Sequence, residues 1–259
     1  MPFIRFSLLL ILCLIGTTFN KAWAQTEADK ILFLLDEFYY YPQNSELVKV
    51  SARVQWEQLD VASGSGKFLR NPDFKFIWQR VESSESRKFE LVGNSDQYSI
   101  SRKFELENQI SNYGELIVPL TLRQKFSGYR GQMKKVIGDK LRLFYQSDSS
   151  AENVESYSLL VDRKNLKIEK IRITQHTSPR KINGTFRYEK RGDKWVIAES
   201  HSSFKMGGLR YQEISLYRYK KIKDIWLVHR IDQTLKQDNQ IFQSHRFKIL
   251  DVHLSHSGE

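Results

Sequence analysis

The chain has 259 residues, of which 41 are lysine or arginine and 30 are aspartate or glutamate, so its formal charge is +11 at pH 7. Its single cysteine, Cys13, lies within an apolar N-terminal run. The rest of the chain therefore has no thiol for a disulfide, a cysteine metal site or a nucleophile. The length suits one large β domain or two small ones.

The first 24 residues have the layout of a cleavable secretory signal. Arg5 gives a positive start, residues 6–15 are almost continuously apolar, and Ala22-Trp23-Ala24 places small residues at the positions that signal peptidase reads. The apolar run is too short to span a bilayer. We therefore predict a periplasmic protein whose mature chain begins at Gln25. The alternatives are a retained membrane anchor and lipid attachment at Cys13, which follows a leucine rather than a small residue.

The basic charge of an exported chain favours an anionic membrane surface or an acidic partner over nucleic acid. The alternative is that the basic residues simply form the solvated face of strands, because net charge reports on association and not on fold.

One helix is predicted at the start of the mature chain. Thr26 is a candidate N-cap with Asp29 three residues later, and Pro42 ends the pattern. The apolar residues at helical spacing are Ile31, Leu32, Leu34, Leu35 and Phe38.

A period of two follows and predicts strands. Residues 48–57 alternate between apolar and polar, residues 74–78 carry three aromatic side chains on one face, and residues 88–92 form another short strand. Gly64-Ser65-Gly66 marks a turn. Residues 108–137 break this rhythm, because apolar side chains recur there at three- to four-residue steps, and we predict one or two short helices.

Strands resume at Lys140, with turns predicted at 162–165, 191–193 and 207–208. Asn183-Gly184 is a strong turn dipeptide and predicts another. No proline-rich or low-complexity linker interrupts the pattern, so we predict a single domain over residues 25–259.

An internal similarity links residues 186–196 and 217–227, which lie 31 residues apart. Each segment reads as an aromatic-x-Tyr strand, a polar turn with aspartate, and a strand that starts with tryptophan. The two copies predict two similar hairpins in one sheet and are too few for a solenoid.

Together these elements predict a mainly β (α+β) fold. We expect a single curled antiparallel sheet forming an incomplete β-barrel, with an N-terminal helix and one or two helices closing the concave side. Sheets of about ten twisted strands tend to curl, and a curled sheet closed by helices is a natural container for an apolar ligand.

This pattern resembles the LolA/LolB superfamily of lipoprotein carriers and lipoprotein-sorting proteins. The resemblance rests on Gly66, on Arg70-Asn71-Pro72-Asp73, on Phe76-x-Trp78, and on the C-terminal stretches 161–165, 219–226 and 249–252. It covers most of residues 26–255. It implies an incomplete barrel whose apolar cavity holds acyl chains in the periplasm, without a cofactor or covalent chemistry.

Three sets of candidate site residues follow. The cavity wall is expected to include Trp56, Phe68, Phe74, Phe76 and Trp78, with an ordinary core as the alternative. Arg70 is a candidate for contact with a polar head group, against a plain surface arginine. Leu116, Val118 and Leu120 are candidates for a lid, against a helix fixed on the sheet.

The sequence offers little for catalysis. None of the six histidines has a metal-ligand spacing with a third ligand, and there is no Gly-x-Ser-x-Gly elbow, Gly-x-Gly-x-x-Gly turn or P-loop. We therefore expect no enzyme, no metal and no cofactor.

The function predicted is that of a carrier that binds the acyl chains of lipoproteins or lipids for sorting to the outer membrane. Its partners would be that cargo, a membrane donor or acceptor protein, and the membrane surface. The alternative is an envelope scaffold or sensor that binds a protein or an anionic glycan through its basic outer strands.

Overall fold

The computed structural model describes residues 26–82, 84–93, 98–111, 113–149 and 152–257. The predicted signal segment 1–24 and Gln25 lie outside these residues. The helices are α1 (Glu27–Phe38), α2 (Ile100–Ser111), α3 (Gly114–Ile117) and α4 (Leu122–Lys125), with a 3-10 turn at Pro42–Asn44. The strands are β1 (Leu47–Leu59), β2 (Phe68–Arg70), β3 (Phe74–Val81), β4 (Ser84–Leu91), β5 (Tyr129–Ile137), β6 (Lys140–Ser147), β7 (Val154–Asp162), β8 (Lys167–Gln175), β9 (Lys181–Arg191), β10 (Lys194–Met206), β11 (Leu209–Ile222), β12 (Ile225–Gln237) and β13 (Gln240–His256).

All of these strands belong to one antiparallel sheet of 13 strands. Its order is β4-β3-β1-β13-β12-β11-β10-β9-β8-β7-β6-β5, and β2 pairs with the end of β1. The outermost strands, β4 and β5, do not pair with each other within the described residues, so the sheet stays open. The predicted fold class, a mainly β incomplete barrel with an N-terminal helix, is confirmed. Within the described ranges, every helix is too short or too polar to cross a membrane.

Helix α1 begins where its capping residues predict. The Asp29 backbone N–H donates to Thr26 Oγ1 at 3.2 Å, and the Thr26 backbone N–H donates to Asp29 Oδ2 at 3.0 Å. This reciprocal capping box satisfies two backbone donors that a helix start otherwise leaves unpaired. Leu32 and Leu35 then bury the apolar face of the helix.

Two hydrophobic cores lie on the sheet. The first, called here the β1–β13 core, is formed mainly by strands β1, β3, β12 and β13 and is covered by α2 and α3. The second, called the α1 core, is formed by α1 and α4 on strands β6–β8. Strands β9–β11 lie between the two cores in the sheet order.

The short helices predicted within residues 108–137 are α3 and α4, but the helical spacing does not extend to the end of that range, because strand β5 begins at Tyr129. Of the apolar residues in this spacing, Phe126 is buried, whereas Met133 and Val136 on β5 are exposed. Gly131 instead sits so close to Tyr145 on β6 that an added Cβ would lie 2.6 Å from the ring. The close packing of β5 on β6 therefore depends on Gly131, which the pattern of apolar residues does not include.

The turn predicted at Asn183-Gly184 is also wrong, because both residues lie inside β9. The chain reverses earlier, between the end of β8 at Gln175 and the start of β9 at Lys181. Gly184 is required for packing, since a Cβ there would lie 2.7 Å from Ile171 Cγ2. The turns at 162–165, 191–193 and 207–208 are confirmed by the ends of the strands.

Candidate ligand cavity

An apolar cavity of about 240 Å³ lies between the two cores, against strands β8–β12. Its floor is formed by side chains of these strands, and the segment after α1 and the segment 115–126 cover it. The residues of β8–β12 that line it are Ile168, Ile171, Phe186, Tyr188, Trp195, Val196, Ile197, Tyr217, Tyr219, Trp226 and Val228, and Tyr157 on the neighbouring strand β7 lines it as well. The covering residues include Tyr39, Tyr40, Tyr41, Pro42, Glu115, Leu116, Ile117, Pro119, Leu120, Leu122, Lys125 and Phe126.

The two repeated hairpins supply the aromatic part of this floor. They are β9–β10 and β11–β12, so the hairpins predicted from the internal similarity are confirmed. Equivalent positions of the two copies line the cavity in pairs: Phe186 with Tyr217, Tyr188 with Tyr219, and Trp195 with Trp226. The internal similarity between residues 186–196 and 217–227 could have indicated the cavity wall, but from the sequence it predicted only the two hairpins.

The hydroxyl groups of two tyrosines are satisfied by the backbone of β8. The Ile168 N–H donates to Tyr39 Oη at 2.8 Å, and Tyr188 Oη donates to the Ile168 carbonyl at 2.8 Å. The two phenols lie 3.2 Å apart, and since the Tyr188 proton is already committed, Tyr39 is the donor between them. Burial raises the pKa of Tyr39 to about 12. The pair stays neutral near pH 7, and both of its hydroxyl groups are hydrogen-bonded to each other and to the backbone.

The next two tyrosines tie the same segment to the rest of the fold. The Tyr40 N–H donates to the Trp195 carbonyl at 2.9 Å, and its hydroxyl accepts from the Trp226 N–H at 2.8 Å. Tyr41 donates to the buried carboxylate of Asp36 at 2.6 Å. Three successive tyrosines thus fix the chain after α1 across the ends of both repeated hairpins.

The other part of the cover is the segment 115–126, which is held by four hydrogen bonds between residues 118 and 123. Asp36 accepts from the backbone N–H groups of Leu122, at 2.8 Å, and of Arg123, at 3.1 Å. Gln43 donates to the Pro119 carbonyl at 2.6 Å, and Arg87 donates to the Val118 carbonyl at 3.1 Å. Opening the cavity on this side would break bonds to buried polar groups.

The predicted lid residues divide between two environments. Leu116 and Leu120 line the cavity, whereas Val118 is fully buried in the β1–β13 core. The segment therefore covers the cavity, and its opening as a lid stays a prediction.

Four of the five residues predicted for the cavity wall lie in the β1–β13 core. Trp56, Phe74, Phe76 and Trp78 are buried there among other side chains, and none of them lines the apolar cavity. Trp56 stacks on Phe247 with ring centroids 6.0 Å apart. The ligand contact expected of these residues stays a prediction.

The two remaining candidates lie near β2. Phe68 is half-buried, and the Arg246 guanidinium lies 4.2 Å from its ring centroid. Arg70 is exposed and pairs with Asp73 at 2.8 Å. Neither residue lines the apolar cavity, and the head-group role of Arg70 stays a prediction.

A second, polar pocket of about 310 Å³ adjoins the apolar cavity and shares Leu116 with it. It is lined by Gln109, Tyr113, Leu116, Glu213, Gln233, Leu235, Gln243 and His245. Tyr113 donates to Gln233 Oε1, and the Trp56 indole N–H donates to His245 Nδ1 at 3.0 Å. Because indole only donates, the proton of neutral His245 is on Nε2.

Glu213 is the charged group of this pocket. Burial raises its pKa, and hydrogen bonding to Gln233 opposes the rise. Burial lowers the pKa of His245. In the described part of the chain, Glu213 has no ion pair, and no three acidic, histidine or cysteine side chains are grouped to hold a metal.

No family model matches the chain, and no curated protein matches it. Among solved structures, the chain is similar to a domain from Vibrio parahaemolyticus described as outer membrane lipoprotein-sorting, with 9% identity, 89% of this chain and 93% of that chain covered, and a TM-score of 0.40. It is similar to a DUF1329 family protein from Desulfovibrio piger, with 12% identity, 90% and 95% covered, and a TM-score of 0.39. It is also similar to a LolA superfamily protein from Nitrosomonas europaea, with 11% identity, 88% and 93% covered, and a TM-score of 0.33.

Proposed function

We propose that this protein is a non-enzymatic periplasmic carrier that binds an acyl chain of a lipoprotein or another lipid in the apolar cavity. The observation that carries the proposal is the cavity wall. Aromatic side chains line the cavity, and the hydroxyl groups of Tyr39 and Tyr188 are already hydrogen-bonded to each other and to the backbone. Such a wall stabilises hydrocarbon through loss of water-exposed apolar surface and through dispersion contacts.

The size of the cavity limits the cargo. Its 240 Å³ exceeds the roughly 150 Å³ of an engineered cavity that holds benzene, but is below the roughly 300–1,000 Å³ of sites for drug-sized ligands. The cavity as it stands therefore suits one short acyl chain. A cargo with several chains requires the covering segment 115–126 to move.

The predicted export signal supports a periplasmic location for the carrier, and its single domain would span residues 25–259. Cargo would pass from a membrane donor to an acceptor at the outer membrane according to the difference in their affinities. Because apolar burial is the only interaction used, binding is reversible and needs no cofactor.

The proposal is tested by delipidating the mature protein and titrating it with dodecanoate, with the complex counted by native mass spectrometry. We expect one bound chain. Ile197→Trp fills the cavity and should weaken binding about tenfold or more, a loss of about 1.4 kcal/mol. Val92→Trp, which makes a similar change at an exposed position, should bind as the natural chain does. Circular dichroism reports whether each variant keeps its sheet.

Phe76→Leu, added to the same series, separates the two candidate walls. Our proposal expects it to lower stability and leave the affinity for dodecanoate unchanged, because Phe76 lies in the core. If the natural chain binds neither fatty acid nor an acylated lipoprotein, the carrier function is wrong. Binding to a protein or an anionic glycan that disappears at high salt would then support the scaffold.

A further inference from the structure

Four apolar side chains protrude where two neighbouring hairpins turn. Met206 and Leu209 flank the β10–β11 turn, and Ile241 and Phe242 begin β13 just after the β12–β13 turn. They are between 42% and 56% exposed. The two turns are adjacent because β11 pairs with β12, with Tyr211 opposite Gln237. We call these four residues the hairpin-tip patch.

The patch stands on a packed aromatic base. Phe204 stacks on Tyr211 with ring centroids 5.3 Å apart and planes 10° apart, and Phe242 meets Tyr211 edge-on at 6.2 Å. Tyr211 is buried. The tips are therefore held in place although their outer side chains face water.

Five cations, called here the tip cations, surround the patch. Arg180, Lys181, Lys205 and Arg210 line a hollow of about 460 Å³ at the same end of β9–β11, and Lys236 follows on β12, opposite Gln212. Lys205 and Arg210 are directly opposite each other in the sheet. Like charges in directly opposed positions destabilise a sheet, so a bound anion would relieve this arrangement.

Within the part of the chain that the structure describes, the tip cations have no acidic partners, whereas several other basic residues on the sheet do. Arg187 pairs with Glu199 at 3.0 Å, and Lys248 pairs with Glu57 at 2.6 Å. Over the described residues, no ion pair within 4.0 Å involves any tip cation. The positive charge of the chain is therefore left unneutralised at this end of the hairpins.

We infer that the hairpin-tip patch and the tip cations form a docking site for an anionic lipid bilayer. A soluble phosphate or an anionic glycan would use the cations and leave Met206, Leu209 and Phe242 in water. A bilayer uses both, because apolar side chains enter the boundary of the acyl chains while lysine and arginine remain among anionic head groups. The inference does not depend on what occupies the apolar cavity.

The test compares binding of the full mature protein to vesicles of phosphatidylcholine and to vesicles with about one-third phosphatidylglycerol. We expect binding to the anionic vesicles to be at least about tenfold tighter. Lys205→Glu with Arg210→Glu should remove this preference. Leu209→Ser with Phe242→Ser should weaken binding and make what is left disappear at high salt.

The matched control is Lys134→Glu with Lys135→Glu on β5, which makes the same change of charge beside other exposed apolar residues. Control binding equal to that of the natural chain is expected. An equal loss in the control would show a diffuse attraction to basic surface and overturn the inference. So would unchanged binding in the tip variants, or binding of inorganic phosphate without any binding to vesicles. Dodecanoate titration and circular dichroism check that each variant is folded.

Discussion

The carboxylate of Glu213 is partly buried and, among the described residues, has no cationic partner. It lies on β11 beside Gln233 and Tyr113, next to the apolar cavity. A buried acid whose folded-state pKa is raised favours its protonated form. Its contribution to stability is fully present below the unfolded pKa and is lost as the pH rises through the folded one.

The Glu213→Gln variant tests this environment. The free energy of unfolding of the natural chain should fall, relative to the variant, as the pH rises above about 4.5, the ordinary value for glutamate. Urea unfolding at pH 4 and pH 8 measures the difference, and we expect the variant to gain relative stability at pH 8.

Glu189→Gln is the control with the opposite sign. Hydrogen bonds from Arg187 and then Arg191, against some desolvation, lower the pKa of Glu189. Its carboxylate therefore adds stability above its unfolded pKa, and the control should lose relative stability at pH 8. The burial of Glu213 would be contradicted if the stability of Glu213→Gln relative to the natural chain fell or stayed constant from pH 4 to pH 8.

At the scale of elements, the floor of the cavity depends on close contact between β8 and β9. Gly184 on β9 faces Ile171 on β8, and the two residues are paired. Ile171 also lines the apolar cavity. A side chain at position 184 would therefore push against a residue that forms the cavity floor.

We expect Gly184→Ala to lower the free energy of unfolding by about 1–3 kcal/mol, the usual cost of overpacking. Urea denaturation measures the loss. Gly128→Ala is the control, since a Cβ there has no atom within 4 Å. A Gly184→Ala variant as stable as this control would show that Ile171 moves aside freely.

The same elements show how far sequence reasoning reaches. Alternation in β1 and β3 and the repeated hairpins are local patterns, and they were predictable. The cavity wall was not, because the face that carries Phe74, Phe76 and Trp78 is covered by α2 and α3, and no local pattern states where a helix packs. Likewise, Asn183-Gly184 has the composition of a turn, but the demand for a glycine comes from Ile171 on another strand.

At the scale of the whole molecule, the sheet is joined through its two sequence ends. β1 pairs with β13, and Trp56 is directly opposite Phe247. The N-terminal strands β3 and β4 reach the rest of the sheet only through this pairing. Such contacts between distant residues slow folding, because the loop must close before they form.

A chain that lacks residues 240–259 should therefore lose its cooperative unfolding transition, because β1 and the β1–β13 core lose their partner strand. Near-ultraviolet circular dichroism during a urea titration measures this. Removing only residues 258–259 should leave the transition unchanged. A cooperative transition of full amplitude in the shorter chain would mean that the N-terminal strands fold independently of β13.

The open sheet also leaves two strand edges exposed, and one of them shows how the chain avoids polymerising. An unpaired edge offers its backbone groups to any other extended chain, which makes long apolar edges prone to aggregation. β5 carries exposed Met133, Val136 and Ile137 along its edge. A register shift between Met133 and Lys135 brings Lys134 and Lys135 to one face of this edge, where Lys134 donates to Gln132 and Lys135 is opposite Arg142. A second copy that approached edge to edge would bring these like charges together, and the irregular pairing would hinder a continuous ladder, so the gap in the barrel can stay open without starting a fibre.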